Sequence, residues 1–402
     1  MTSGLKGRTM WIATAVIGIS LVIESTALSQ ALPQATRTAD GDGWHATWWT
    51  EAGLEADDNI YLLSDGQMLA WETVDPRVSV SRRYSDMNSP GDVIIPLGIG
   101  LTMRSDAGLL PFPLEVNAKV EYDSYTRNPK RSYVAANASF MQRVSEAGRI
   151  ELRGAYVPSR FWKNYLADAV DSTGKVSPDE RVYEPGVYSE WELGLEYRHD
   201  FSGALRRLEG RILGGYRSRT YDDPFPGRDQ LALSGGAELI CRITDRWKAE
   251  ASYVYEYSRS PVTPEVLILD EPDFMLDFNN DLDVADKNLR MVTAVDRSRG
   301  EGLFALATTV EPWRKLEVKL SYGYRQRDYT SQEPLDPSHR ARVDRRNELQ
   351  LGIGYNLMKP LMLKARYVYQ NQISNVPFDP DIGGETTDYV AHAFTVGVQW
   401  RF

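Results

Sequence analysis

Charged residues occupy every second position in several segments of this sequence. Lys319, Arg325 and Arg327 lie on one face of a segment whose other face is apolar, and Lys364 and Arg366 do the same farther along. Since successive side chains of a β-strand point to opposite faces, this spacing predicts strands with one charged face. The charged-face residues that we expect to line a lumen are Glu51, Glu55, Glu121, Glu192, Glu196, Arg211, Arg217, Lys319, Arg325, Arg327, Lys364 and Arg366.

The acids and bases of this set concentrate on different segments. The acids crowd onto residues 44–57, 113–125 and 187–199, and the bases onto residues 206–220, 314–328 and 361–373. If these segments enclose a lumen, an acidic wall facing a basic wall would create a transverse field that orients charged solutes. The alternative is that charges pair across neighbouring strands, Glu192 or Glu196 with Arg211 or Arg217, and fill the lumen.

The segments that must position these residues are about ten residues long and alternate apolar with polar side chains. No helical period extends over any long stretch, so the pattern predicts an all-β chain. A transmembrane β-barrel places the apolar face in lipid and the charged face in the lumen. The fourteen predicted strands are residues 44–57, 92–104, 113–125, 132–143, 149–161, 187–199, 206–220, 229–243, 246–258, 301–311, 314–328, 346–357, 361–373 and 388–402.

The links between these strands alternate in length. Short links follow every second strand, and the long links include residues 59–91, 165–186 and 259–300. Short turns are typical of the periplasmic end of outer-membrane barrels and long loops of the external end, so we expect both termini in the periplasm. Residues 69–86 also alternate, and an extra hairpin there would make sixteen strands instead of fourteen.

Residues 1–29 have the features of a cleaved secretion signal. The apolar run 11–23 follows Lys6 and Arg8, and small residues stand at positions 27 and 29. The run is too short for a spanning helix. We expect a short periplasmic segment at 30–43 and one barrel domain at 44–402. The net charge of −10 argues against nucleic acid as a partner.

The C-terminal segment carries a family resemblance. Val396, Val398, Trp400 and Phe402 alternate, and the chain ends on the phenylalanine. This resembles the last strand of Gram-negative outer-membrane proteins, which implies recognition by the barrel-assembly machinery and contact with the bilayer and lipopolysaccharide. The size and strand count resemble monomeric fourteen-strand porins, and residues 52–62 are similar to barrels found beside exopolysaccharide systems.

Two functions are compatible with this resemblance. The first is a porin-like channel for passive diffusion of small hydrophilic solutes through the outer membrane. The second is a structural or accessory barrel without an open pore, linked to polysaccharide export. Strand number does not decide between them, because eight strands are filled by side chains, sixteen to eighteen leave a water channel, and fourteen falls between.

The sequence gives little support for an enzymatic site or a metal site. His339 near Asp336 and Asp344 is the candidate Asp–His set for an omptin-like protease, but the second Asp pair is missing. No Ser–His–Asn set of the outer-membrane phospholipase kind shares an outward face. The single Cys241 excludes an intramolecular disulfide and a cysteine zinc site. We therefore expect no enzyme, cofactor or catalytic residue.

The long link at 259–300 is strongly acidic. Residues 277–283 alternate oxygen-bearing side chains as a Ca²⁺ loop does, but they lack the glycine and final glutamate of an EF-hand. Surface solvation or divalent bridging to lipopolysaccharide accounts better for these acids, so we predict no metal site. The apolar residues at 266–276 predict that part of this link folds back over or into the barrel mouth.

Overall fold

The computed structural model describes residues 44–63, 68, 88–106, 112–167, 182–201, 207–268, 290–332, 339–375 and 388–402. Within them fourteen antiparallel strands form a closed barrel, and two further strands, β10 and β11, form a separate hairpin. The predicted signal peptide and the segment 30–43 lie outside the described residues. The strands are β1 Trp44–Asp57, β2 Asp92–Ser105, β3 Leu114–Tyr125, β4 Tyr133–Arg143, β5 Gly148–Ala167, β6 Val182–Asp200, β7 Leu208–Tyr221, β8 Gln230–Thr244, β9 Trp247–Arg259, β10 Thr263–Ile268, β11 Arg290–Val295, β12 Arg299–Trp313, β13 Leu316–Tyr329, β14 Val343–Met358, β15 Leu361–Ser374 and β16 Tyr389–Arg401.

The barrel closes where the first strand meets the last. Strand β1 pairs with both β2 and β16, so that Glu51 stands beside Gly98 on one side and Gln399 on the other. Each other barrel strand pairs with its neighbours in the chain, except that β9 pairs directly with β12. The fourteen-strand prediction is confirmed and the sixteen-strand alternative is wrong. Residues 69–86, on which that alternative rested, lie outside the described residues.

Alternation along each strand gives the barrel an apolar outer surface. Leu193 and Leu195 on β6, and Leu320 and Tyr322 on β13, point away from the lumen and are exposed. The polar neighbours of these residues point inward. In a membrane this surface contacts lipid, and the closed ladder leaves no strand edge unpaired in the hydrocarbon. The described part of the chain contains no helix long and apolar enough to cross a membrane.

The two ends of the barrel differ in their connections. At one end the links are tight, and those after β8, β12 and β14 contain two residues each, at 245–246, 314–315 and 359–360. We call this the short-turn end. At the opposite end, the long-loop end, the links after β1, β5 and β9 are far longer. The hairpin β10–β11 lies within the link between β9 and β12. The predicted alternation of short and long links is confirmed.

The orientation of the barrel can be tested by cysteine labelling of whole cells. Val262 lies in the long link after β9 and Ser145 in the short turn after β4, and both are exposed. In a Cys241→Ser background, an impermeant maleimide should modify Val262→Cys on intact cells and Ser145→Cys only after lysis, because long loops face outward. If only Ser145→Cys were labelled on intact cells, the orientation of the barrel would be the opposite of the predicted one.

Candidate functional site

The inward side chains of β1 connect strands on both sides of the barrel closure. Glu51 forms salt bridges with Lys119 of β3 and, at 3.4 Å, with Lys364 of β15. Each partner is two strands away. On β2 the residue opposite Glu51 is Gly98, which has no side chain to block Glu51 and Lys119 from meeting across it, and on β16 the residue opposite Lys364 is Gly397. Glycine in these strands therefore lets long charged side chains cross the inner wall.

A second network covers the inner wall from β5 to β8. Arg153 lies 2.8 Å from Glu196, and Arg211 lies 3.6 Å from the same carboxylate. Arg211 also bonds Glu209 at 2.6 Å and Glu238 at 3.1 Å. The pairing of Glu196 with Arg211, which the sequence offered as one alternative, is present. Because each arginine bonds carboxylates from more than one strand, this network fixes the relative positions of its side chains.

The other predicted acids have different surroundings. Arg217 pairs with Glu256 of β9 rather than with Glu192, its register neighbour on β6. Over the described ranges Glu192 has no salt-bridge partner, and it lines the cavity described below. Glu121 pairs with Lys119 on its own strand.

The bases on β13 and β15 pair with acids that are one or two strands away along the wall. Arg325 and Arg327 contact Glu301 of β12 at 3.3 and 2.7 Å. Lys319 lies 3.7 Å from Glu250 of β9, and Arg366 of β15 lies 3.6 Å from Glu55 of β1. These contacts favour pairing across strands over two electrostatically separate walls.

The predicted set of lumen residues lacks Glu256 and Glu301, although alternation on their strands could have placed both. Trp49 is two residues before Glu51 on β1, so the same alternation could also have placed it on the inner face. Its ring lies over Gly100 of β2, where an added Cβ atom would stand 2.3 Å from ring carbons. The ammonium of Lys119 lies 5.7 Å from the ring centroid. Gly100 therefore makes room for a tryptophan against the inner wall.

A cavity of about 650 Å³ lies in the lumen beside Trp49. Its walls combine uncharged polar groups with charged ones and come from strands β1 and β3 to β9. The polar and charged residues that line it are Asn117, Lys119, Asn137, Ser139, Glu151, Arg153, Glu192, Arg217, Ser234 and Glu256. These groups offer hydrogen-bond partners to water and hydrophilic solutes, beside the apolar atoms of the same wall.

The long-loop end is narrowed by the segment that follows β1. Ile60, Tyr61 and Leu63 are buried against the inner-wall residues Ile94 and Tyr125. The chain after β1 therefore turns back toward the lumen instead of leaving the barrel.

Arg131, in the link between β3 and β4, fastens this segment. Its guanidinium carbon lies 4.5 Å from the Tyr61 ring centroid, 5.5 Å from that of Tyr125 and 4.8 Å from that of Trp162. It donates a hydrogen bond to the carbonyl oxygen of Trp162 at 3.3 Å. The side chain is almost completely buried. We call Arg131 with Tyr61, Tyr125 and Trp162 the mouth clamp.

The described residues include two members of the candidate Asp–His set, His339 and Asp344. The ring of His339 lies 5.4 Å from that of Tyr329, and Asp344 is bonded by Arg342 and Ser374. Asp336 and the acidic stretch 277–283 lie outside the described residues. In the part of the chain that the structure describes, no group of three or more His, Cys, Asp or Glu residues could hold a metal ion. The absence of enzymatic activity stays a prediction.

The geometry is that of an outer-membrane protein. A closed even-stranded antiparallel barrel with an apolar outer face, a charged interior, short turns at one end and long loops at the other is typical of the Gram-negative outer membrane. The chain is an outer-membrane β-barrel. Recognition of its C-terminal phenylalanine by the assembly machinery and contact with lipopolysaccharide stay predictions.

No protein-family model matches this barrel, and no curated protein matches it. Among solved structures it is similar to the outer membrane channel DcaP of Acinetobacter baumannii, at 10% identity and TM-score 0.42, over 91% of this chain and 99% of that one. It is similar to an anion-selective porin from Comamonas acidovorans, also at 10% identity and TM-score 0.42, over 90% and 100%. A bacterial polysaccharide outer membrane secretin gives 9% identity and TM-score 0.41, over 88% and 98%. At these TM-scores the likeness carries no inference about function.

The mouth clamp predicts a measurable loss of stability. Arg131→Gln removes a buried cation from three aromatic rings, which should lower the free energy of unfolding by about 2 kcal/mol. The adjacent exposed Lys130→Gln serves as the matched control and should change it little. The urea midpoint of the refolded barrel measures both. Equal midpoints for the two variants would show that Arg131 does not hold the segment after β1.

Proposed function

We propose that this barrel is a channel for passive diffusion of small hydrophilic solutes across the outer membrane. The observation that carries the proposal is the cavity of about 650 Å³, with ten polar or charged residues in its lining, inside a fourteen-strand wall. A lumen filled by side chains would leave no such space. The residues proposed to line the path are the twelve charged residues predicted from the sequence, together with Trp49 and the polar groups around the cavity.

Water access to the paired bases supports an open lumen. The Arg153 side chain is 50% exposed although it bonds two carboxylates, Glu151 and Glu196. In a packed salt-bridge interior, a side chain held by two partners would be enclosed by its neighbours. Its exposure instead indicates that the network lines the wall and leaves the bore hydrated.

The mouth clamp supports a limit on solute size. It holds the segment after β1 against the inner wall at the long-loop end, where a solute would enter. Bulky solutes would meet this segment before they reach the cavity. The channel is therefore proposed for small solutes rather than for polymers.

The second candidate is an accessory barrel without an open pore, linked to exopolysaccharide export. The observation in its favour is the density of cross-strand salt bridges, because a lumen rich in such pairs can be stable without conducting. The two candidates differ in a single measurable property, the conductance of the purified barrel.

We expect the refolded protein to produce unitary conductance steps in planar bilayers. In a Cys241→Ser background, a bulky charged thiol reagent should reduce the conductance of Ser234→Cys, which lines the cavity. The adjacent Leu233→Cys should be insensitive, because Leu233 points outward and is exposed on the lipid-facing surface.

Three results would count against the diffusion channel. A refolded, heat-modifiable barrel without conductance would favour the accessory barrel. Conductance that responds to the reagent at Leu233→Cys but not at Ser234→Cys would place the ion path elsewhere. Steps that are equally large for the unmodified and fully modified Ser234→Cys protein would show that the cavity does not belong to the path.

A further inference from the structure

In most lumen ion pairs the base is more exposed than the acid. The Lys319 side chain is 48% exposed and its partner Glu250 is 12% exposed. Lys364 is 43% exposed against 24% for Glu51, and Arg366 is 53% exposed against 21% for Glu55. The acids therefore lie close to the wall, and the bases lie between them and the bore.

The same order holds on the rest of the wall, and it has a simple cause. A glutamate side chain is short and ends near its strand, whereas lysine and arginine extend their aliphatic stems over it and keep their charged ends in water. Lys119, Arg149 and Arg346 are exceptions, because at least one acid partner of each is slightly more exposed than the base. The further pairs with the more exposed base are Arg153–Glu196, Arg219–Glu190, Lys248–Glu250, Arg325–Glu301 and Arg327–Glu301.

Such an arrangement sets the sign of the potential in the bore. When negative charges form an outer shell and positive charges an inner one, the enclosed space is at a positive potential even if the totals are equal. Low-dielectric protein and lipid around the shell concentrate this field into the aqueous lumen. The net charge of −10 does not oppose this, because it is a sum over the whole chain and many of the acids stand at residues 265–286, between β9 and β12 in the sequence.

Three of the exposed bases form a cluster around one glycine. The register places Lys319 and Arg366 on either side of Gly352 of β14, and Lys364 beside Gly354 two residues along. We call Lys319, Lys364 and Arg366 the cationic cluster. Their partner carboxylates stand at 3.4–3.7 Å, which is longer than the 2.6–2.8 Å contacts of Arg211 with Glu209 and of Arg153 with Glu196.

These features suit the cluster to bind a solute. Loosely paired, half-exposed cations keep donor capacity for a passing anion. The two glycines leave the wall between them without side chains, so that an anionic group could approach all three bases. Glu317 of β13 stands on the other side of Gly354 from Lys364 and bounds the cluster there.

We propose that the lumen favours small anions, such as carboxylates, and that the cationic cluster is its selectivity site. This inference rests on the proposed diffusion channel. It extends that proposal by naming the charge class of the solute and the residues that make the channel selective for it.

The test is the reversal potential of single channels in a tenfold gradient of potassium chloride, repeated with potassium acetate. In both salts, the wild-type reversal potential should have the sign expected when anions carry more current than potassium. The triple variant Lys319→Gln, Lys364→Gln and Arg366→Gln should lose this preference or reverse it, since a lumen potential of a few kT changes local ion concentrations about tenfold. The shift should shrink near 1 M salt, where the screening length is about 3 Å.

The matched control removes three charges from the short turns. Arg246→Gln, Arg314→Gln and Lys359→Gln give the same change in net charge at exposed positions outside the lumen and should leave the anion preference in place. Heat modifiability on unboiled gels shows that every variant is folded.

The outcomes separate the two proposals. A wild-type channel that conducts but prefers potassium, or a folded triple variant that keeps the wild-type reversal potential, overturns the selectivity site and leaves the channel standing. An equal shift in the control variant also overturns it, because net charge alone would then set the selectivity. A folded wild type without conductance overturns the channel itself, and the selectivity site with it.

Discussion

Every backbone polar group in the hydrocarbon of a membrane must find its hydrogen-bond partner within the protein. This barrel meets that constraint by closing β1 onto β16, so that no strand edge remains unpaired. Closure has two consequences for the side chains. Those on one face of each strand must be compatible with lipid, and those on the other face are enclosed with water and with one another.

Enclosure explains the chemistry of the lumen. Charged side chains on a crowded inner wall reach partners on neighbouring strands and on strands two positions away, as Glu51 does with Lys119 across Gly98. The difference in length between glutamate and the basic side chains then places positive charge nearer the bore. Pairing and selectivity therefore do not conflict here, because the same ion pairs that cover the wall also give the enclosed water a positive potential.

The mouth clamp connects the long-loop end to the wall. Arg131 is held by aromatic rings from three parts of the chain, one of which, Tyr61, belongs to the segment after β1. A buried cation among three rings has few other acceptable environments, so the segment keeps its place over the inner wall. Because this segment lies against the inner wall, the opening at the long-loop end is narrower than the fourteen strands alone would make it.

Much of the fold could be predicted from the sequence. The period of two along residues 315–327 and its equivalents identified the strands, and the order of short and long links gave the antiparallel topology with fourteen strands. These features are local, because side-chain alternation and turn length are written in consecutive residues. The inward placement of Glu196 and Arg325 followed from the same period.

The sequence by itself determined the strands, their two faces and the number of charges available to the lumen. Only the tertiary structure decided which charges meet, for example that Arg217 pairs with Glu256 and not with Glu192. It also decided that the Trp49 ring packs over Gly100 and that the chain after β1 packs against Arg131. The reason is physical. These contacts depend on register between strands far apart in the chain and on which residue of the facing strand lacks a side chain, and neither is contained in the period of one strand.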